Sequence, residues 1–330
     1  MYSLLRRLLF LLPTEHAHSL ALNMLNLTTL LLPKADSTTR TACTVMGLHF
    51  PNRVGLAAGL DKNGEYIEPL SRLGFGFLEV GTVTPKAQLG NPKPRLFRLP
   101  SEHALINRMG FNNKGIDYLL NQVHALTERP VLGINVGKGY ATPIPAAVED
   151  YLFGLEKAYP LADYITINIS SPNTLNLRQM QTPELLTSLL HQLKEKQAVL
   201  AQQYRRYVPL AVKISPDMSV PELEAVARIL LEAQIDAVIA TNTTIDRKQI
   251  NHALGKEEGG LSGAPLFAAT LDIVQLLYSH FGNKIPIIAC GGIMSREQGV
   301  RLLNAGAQLL QVYTGLIYKG PQLIRQLASL

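Results

Sequence analysis

Short apolar runs bounded by glycine, proline or aspartate alternate with longer stretches of helical periodicity through most of the chain. The runs are Val54–Ala58, Phe77–Gly81, Val131–Val136, Tyr164–Ile169, Leu210–Ile214, Ala237–Ala240, Ile285–Ala289 and Gln308–Val312. They are too short for helices and rich in β-branched residues, and few polar positions interrupt them. That is the pattern of strands buried on both faces. Leu and Ala recur at helical spacing between most of them, as in Pro183–Gln203 and Pro221–Ala233. Strands and helices in this alternation predict an α/β fold, a (β/α)8 TIM barrel over residues 50–330. A doubly wound open sheet is the alternative, but no Gly-x-Gly-x-x-Gly fingerprint opens the first unit. Pro85–Asp117 is too long for a simple connection and predicts an excursion over the barrel mouth. Thr243–Leu266, with its Gly259-Gly-Leu-Ser-Gly263, predicts another.

The first residues follow a different pattern. Leu4–Leu12 is leucine and phenylalanine interrupted only by Arg6 and Arg7. His16–Pro33 has no formal charge but carries His16, His18, Ser19, Asn23, Asn26, Thr28 and Thr29. Neither makes a spanning helix, which wants ~20 predominantly apolar residues. No small-residue cleavage site follows that would mark a signal peptide. Residues 1–33 therefore read as a helical extension of two short amphipathic helices lying on a membrane, with a hairpin packed on the main domain as the alternative. Residues 34–49 read as a polar linker and a short hairpin leading into the barrel.

Composition narrows the function. With 47% hydrophobic and 17% charged residues the chain is globular. A net charge of +6 without any Lys/Arg block favours an acidic small ligand or an anionic lipid surface over nucleic acid. Cys43 and Cys290 are the only cysteines, which excludes a disulfide framework and a multi-cysteine metal centre; no metal is expected.

Chemistry gathers at the carboxyl ends of the runs, where α/β barrels keep their active sites. Those ends read Ala57-Ala-Gly-Leu-Asp-Lys62, Glu79-Val-Gly-Thr82, Asn135, Asn168 with the Ser171 loop, Lys213, Thr241-Asn-Thr-Thr244, Gly291-Gly292 and Tyr313-Thr-Gly315. Carboxamides that donate and accept suit a planar heterocycle with alternating N–H and C=O edges. Gly291-Gly292 and Gly315 stand at the phosphate position of such barrels, where bare backbone N–H groups bind a dianion. Together with two lysines this describes a pocket for flavin mononucleotide (FMN) with an anionic substrate over it. For either lysine the alternative is a salt bridge in the barrel mouth, with Asp61 the obvious partner.

Seven segments then resemble one family. They are Ala57-Ala-Gly-Leu-Asp-Lys62, Asn107-Arg-Met-Gly-Phe-Asn-Asn113, Asn168-Ile-Ser-Ser-Pro-Asn173, Lys213-Ile-Ser-Pro-Asp217, Thr241-Asn-Thr-Thr244, Gly259-Gly-Leu-Ser-Gly263 and Tyr313-Thr-Gly-Leu-Ile-Tyr-Lys-Gly320. In this order they resemble the dihydroorotate dehydrogenases, and with the leucine-rich start the membrane-associated, quinone-reducing class 2 enzymes. The resemblance implies oxidation of (S)-dihydroorotate to orotate in pyrimidine biosynthesis. FMN would be the hydride acceptor and a membrane quinone, ubiquinone or menaquinone, the final one.

It implies Ser171 as the catalytic base, where class 1 enzymes carry cysteine. Substrate contacts would fall on Lys62, Asn107, Arg108, Met109, Gly110, Phe111, Asn168, Asn173, Asn242 and Thr243. Flavin contacts would fall on Ala58, Gly59, Leu60, Asp61, Lys62, Thr82, Asn135, Asn168, Lys213, Thr241, Gly263, Gly292, Tyr313 and Thr314. His18, Arg98 and Tyr313 would line a quinone tunnel, with Leu8 and Leu12 in its walls. Thr314 stands where serine is as common in the family. The implied location is peripheral, on the cytoplasmic face of the inner membrane, with no obligate protein partner. A class 1 enzyme would want a cysteine near Ser171, and a flavin barrel acting on transfer RNA would want a basic appendage; neither is present. A membrane-surface flavin or lipid-binding protein without activity is the non-enzymatic alternative, and the retained Ser171, Lys62 and Lys213 argue against it.

Overall fold

The computed structural model describes residues 2–28 and 41–330. Residues 29–33 of the expected extension and 34–40 of the expected linker therefore lie outside the described residues. Helices α1 (Tyr2–Leu9) and α2 (Thr14–Thr28) come first, then strands β1 (Cys43–Val45), β2 (Leu48–Phe50) and β3 (Val54–Leu56). Next are α3 (Ile67–Ser71), β4 (Phe77–Val83), β5 (Leu96–Leu99), β6 (Ala104–Asn107), α4 (Ile116–His124) and β7 (Val131–Val136). They are followed by α5 (Ala147–Ala158), β8 (Tyr164–Asn168), α6 (Pro183–Tyr204), β9 (Leu210–Ile214), α7 (Val220–Glu232) and β10 (Ala237–Ala240). The last are β11 (Gly260–Gly263), α8 (Phe267–Phe281), β12 (Ile287–Cys290), α9 (Arg296–Asn304), β13 (Leu309–Val312), α10 (Thr314–Lys319) and α11 (Pro321–Ala328).

Strands β3, β4, β7, β8, β9, β10, β12 and β13 pair in parallel in that order and close into a barrel. Each of the eight apolar runs supplies one stave. The outer faces pack under the helices. On α6, Leu186, Leu189, Leu190 and Leu193 fall at helical spacing and are fully buried, each removing apolar surface worth about 1.5–3 kcal/mol. Inside the lower barrel, glycines make room for rings. A Cβ on Gly55 would lie 2.2 Å from the Phe77 ring, and one on Gly133 2.2 Å from the Tyr164 ring. The hairpin β1–β2 plugs this end, with Val45 and Phe50 joining Phe77, Tyr164 and Leu309 in one cluster. Phe50 meets Phe77 edge-on at 5.2 Å between centroids. With its lower end filled, the barrel keeps its carboxyl rim for a cavity.

Both long excursions cover that rim, and they meet. β11 pairs with β6 and β6 with β5, all antiparallel, in a separate three-stranded sheet. The α1–α2 pair docks beside it. The Tyr2 hydroxyl donates to the carbonyls of Leu316 (3.1 Å) and Ile317 (2.7 Å), and Arg6 donates to the Tyr318 carbonyl. Phe10 packs edge-on against Tyr318. Leu4, Leu8 and Leu27 on these helices, and Leu11 in the turn between them, remain largely exposed. Among the described residues no helix is long and apolar enough to cross a membrane.

Candidate active site

A cavity of about 390 Å³ occupies the carboxyl rim, between the barrel, the β5–β6–β11 sheet and α2. Most of the residues singled out in the sequence line it, contributed by the strand ends and by the two excursions. Ala58, Gly59, Leu60, Asp61 and Lys62 enter from the β3 loop and Thr82 from β4. Asn107, Met109, Gly110 and Phe111 enter from β6 and its loop, and Asn168, Ser171 and Asn173 from β8 and beyond. Lys213, Thr241, Asn242, Thr243, Gly263, Gly292, Tyr313 and Thr314 complete that set, and His18 reaches in from α2.

Five of the expected residues stand elsewhere, two of them, Leu8 and Leu12, exposed at the surface rather than lining this cavity. Asn135 is fully buried beneath the floor, accepting from the Thr82 hydroxyl at 2.6 Å. Arg108 turns outward to a 2.7 Å ion pair with Glu257 and a hydrogen bond to the Pro94 carbonyl. Arg98 sits under the α1–α2 turn. Its guanidinium covers the Phe10 ring at 4.6 Å and donates to the Leu9 and Leu12 carbonyls and the Thr14 hydroxyl.

Ser171 is 6% exposed, and its Oγ accepts the Asn173 backbone N–H at 3.2 Å. The Asn173 side chain donates to Asn107 Oδ1 at 3.2 Å, which links the β8 loop to the excursion that covers it. Lys213 is buried and makes no hydrogen bond or ion pair among the described residues, so its ammonium is free to face a ligand. Lys62 donates to the Gly59 carbonyl at 2.9 Å. The expected alternative of a Lys62–Asp61 salt bridge does not form among the described residues. Asp61 instead accepts three backbone N–H groups, from Asn63 (3.3 Å), Glu65 (3.0 Å) and Tyr66 (2.8 Å). A carboxylate used to fold its own loop has few lone pairs left for a lysine.

Burial sets the proton affinities here. It pushes the Lys62 ammonium down to about 8, with the nearby Arg95 charge acting in the same direction and Glu15 and Asp61 opposing. Burial, then the Lys62 charge, pushes His18 down to about 4, against a backbone hydrogen bond at Leu60. His18 is therefore neutral at pH 7. The Tyr313 phenol is pushed up to about 12 by burial.

The family model described as "Dihydroorotate dehydrogenase" matches residues 40–329. The chain belongs to the dihydroorotate dehydrogenase family. A relative named "Dihydroorotate dehydrogenase (quinone)" from Nitrosomonas eutropha is 54% identical over 332 residues, covering 100% of this chain and 97% of that protein. One of the same name from Azoarcus sp. (strain BH72) is 52% identical over 327 residues, covering 99% and 97%. The crystal structure of the Eimeria tenella dihydroorotate dehydrogenase in complex with ferulenol superposes with a TM-score of 0.87 at 37% identity, covering 94% of this chain and 89% of that one.

Several residues that shape this dehydrogenase site received no role from the sequence. Glu79 lies inside the barrel under the floor, joined at 2.7 Å to Gln311, which also borders the cavity. A glutamate within an otherwise apolar buried strand is itself a signal, because an unpartnered buried charge is untenable. Ser262 shares a 2.8 Å hydroxyl contact with Thr314, so the threonine at that position keeps a polar partner. Arg178 reaches back from the β8 loop to the Ser170 carbonyl. Thr174 is buried beside Ser171 in sequence with its hydroxyl unpartnered.

Proposed function

We propose that this chain oxidises (S)-dihydroorotate to orotate in de novo pyrimidine biosynthesis, with FMN as hydride acceptor and a membrane quinone, ubiquinone or menaquinone, as final electron acceptor. The observation that carries the reading is one convergence. Ser171, the carboxamides of Asn107, Asn168, Asn173 and Asn242, and the unpaired Lys213 ammonium all face a single rim cavity. Relatives at 52–54% identity over nearly the whole chain bear the name dihydroorotate dehydrogenase (quinone), which supports the substrate and the acceptor.

The residues present fit FMN. A Cβ on Gly292 (φ +73°) would lie 2.4 Å from the Phe267 backbone, and one on Gly263 (φ +101°) 2.3 Å from the His103 carbonyl. The cradle at the phosphate position is therefore built from bare backbone. Gly263, Gly292 and Thr314 would hold the phosphate, and Ala58, Gly59, Leu60, Asp61, Thr82, Thr241 and Tyr313 the remainder. Lys213 would face the electron-rich ring edge, and Asn135 would act from beneath through Thr82 and Asn168. Bound there, FMN supplies a two-electron acceptor for the hydride that leaves C6 of the substrate.

Ser171 Oγ takes the C5 proton as its own hydroxyl proton passes on to solvent through a relay. An unperturbed hydroxyl is a poor base, so position and desolvation must favour it. The Asn173 N–H at Oγ stabilises the alkoxide character the oxygen gains as its own proton leaves, and burial keeps bulk water from it. The carboxamides read the pyrimidine edge, and the Lys62 ammonium meets the substrate carboxylate. Met109, Gly110 and Phe111 close over the ring, while Arg108 braces their loop through Glu257.

Residues 1–33 form the membrane-associating extension, 34–49 the linker and hairpin, and 50–330 the catalytic barrel. The exposed leucines of α1 and α2 rest on the cytoplasmic face of the inner membrane. Quinone passes between these helices toward Tyr313 and the neutral His18, and Arg98 holds their turn in place. The reading requires no metal, nucleic acid or protein partner.

Anaerobic titration with dihydroorotate, followed in the flavin absorption band, tests it. Bleaching with recovery on adding a ubiquinone analogue is expected. Yellow protein that does not bleach would remove the substrate, and protein that cannot be reconstituted with FMN would remove the cofactor.

A further inference from the structure

Glu79 is fully buried inside the barrel, does not line the cavity, and accepts four hydrogen bonds. Its Oε1 accepts from Asn135 Nδ2 at 2.7 Å. Its Oε2 accepts from the Tyr164 hydroxyl (2.9 Å), the Thr166 hydroxyl (3.1 Å) and Gln311 Nε2 (2.7 Å). Four donors converging on one side chain is the arrangement an acceptor-only carboxylate takes. A barrel interior needs no such group for stability, since apolar side chains of similar volume would fill it without desolvating a charge.

The Asn135 amide must therefore point its nitrogen down at Glu79, which turns its oxygen up. That oxygen takes the Thr82 hydroxyl proton at 2.6 Å, leaving Thr82 Oγ1 to accept from Asn168 Nδ2 at 2.8 Å. Asn168 Nδ2 also reaches Asn135 Oδ1 at 3.3 Å, so both its protons point down. Its oxygen then faces the Ser170 hydroxyl at 3.1 Å, and Ser170 accepts from Asn242 Nδ2 at 3.0 Å. Asn242 Oδ1 is left facing the Thr243 N–H at 2.8 Å. From Thr243 to Glu79 every group donates in the same direction, toward the buried Glu79 side chain.

We propose that Glu79 is a positioning residue that sets the donor–acceptor direction of the Asn168 and Asn242 carboxamides, and through them which pyrimidine edge the site accepts. The inference rests on the reading of the cavity as a dihydroorotate site. Chains of hydrogen bonds polarise one another, so the direction imposed at one end persists along the row. Replacing the acceptor-only end by a carboxamide, which also donates, removes the constraint and lets the row reverse.

The test is calorimetric titration of the oxidised holoenzyme with orotate, alongside KM and kcat for dihydroorotate, in Glu79→Gln and in the double variant Glu79→Gln/Asn135→Asp. Glu79→Gln keeps volume. It is expected to weaken orotate binding about tenfold or more and to raise KM more than it lowers kcat, with flavin retained. The double variant restores an acceptor-only group at position 135, facing Thr82 and Asn168 as before, and is expected to recover most of the affinity. A purely structural role predicts no such recovery. Unchanged orotate affinity in the single variant overturns the proposal, as does a double variant that fails to fold or binds no better. Should the single variant not fold, near-native affinity in the double variant supports the proposal and a tenfold loss overturns it. A wild-type holoenzyme that neither binds orotate nor is reduced by dihydroorotate would instead overturn the underlying substrate assignment.

Discussion

Arg178, in the loop after β8, forms a 2.7 Å ion pair with Asp217, in the loop after β9. The same guanidinium donates to the Ser170 carbonyl at 3.1 Å and the Thr243 carbonyl at 3.0 Å. Asp217 in turn accepts the Ile245 N–H at 2.9 Å and the Thr244 hydroxyl. One planar fork thus ties together the rim loops that carry Ser171 and Asn242–Thr243. Such a fork is not replaceable by lysine, whose ammonium lacks the fixed geometry.

Arg178→Ala is therefore expected to slow flavin reduction by dihydroorotate roughly 10–100-fold, because small misplacements of a reacting group are expensive in rate. Ser171→Ala is expected to slow it severely with flavin still bound. If Arg178 acts through Ser171, adding Arg178→Ala to Ser171→Ala costs little more in the same stopped-flow assay. Fully additive losses would show that the clamp serves some other step.

Lys62 gives the site a pH dependence. Its ammonium is pushed down to about 8, so it is charged below that pH and neutral above it. Orotate remains a carboxylate anion across this range. Binding is thus expected to be flat below about pH 8 and to weaken above it, approaching about tenfold per pH unit as proton uptake becomes coupled to binding. Lys62→Arg carries a group that stays protonated, so its orotate affinity is expected to stay flat from pH 7 to about 9, where the native profile already falls. A native profile without a break near pH 8 would deny Lys62 the carboxylate.

The α1–α2 pair is held to the barrel by polar anchors, including Arg95 with Glu15 at 3.0 Å and Tyr66 with Asn23 at 2.8 Å, and by the apolar contacts of Phe10 and Leu22. Leu4, Leu8, Leu11 and Leu27 stay largely exposed among the described residues. Deletion of residues 1–33 is expected to preserve flavin reduction by dihydroorotate while abolishing vesicle binding and turnover with long-chain quinone. Retained long-chain quinone turnover would sever the helices from the second half-reaction.

The barrel was legible because each stave is a local signal, an apolar run with a polar carboxyl end such as Ile165–Asn173. The β5–β6–β11 lid was not, since Gly260 pairs with Asn107 across most of the barrel and no local pattern encodes that register. Among site residues, Ser171 and the asparagines stood in motifs. Arg178 and Glu79 act through contacts between segments distant in sequence, and only the fold brings those partners together. The family resemblance implies ligand-facing roles for Arg98 and Arg108. The fold turns both toward protein carbonyls and, for Arg108, Glu257, which satisfies guanidinium donors more fully than an open cavity wall.

Gly292 and Gly282 separate backbone strain from cradle shape. Gly282 has φ +52° and open space where a Cβ would stand, so Gly282→Ala adds strain alone. Gly292 has φ +73°, but its added Cβ would lie 2.4 Å from both the backbone nitrogen and the Cα of Phe267. Neither neighbour is the end of a flexible side chain, so the cradle itself must shift. Gly282→Ala is expected to lower the melting temperature by about 2–4 °C with flavin content intact. Gly292→Ala is expected to purify with most of its flavin lost and to need a large excess of FMN for reconstitution. Equal flavin content in the two variants would move the phosphate away from the β12 loop.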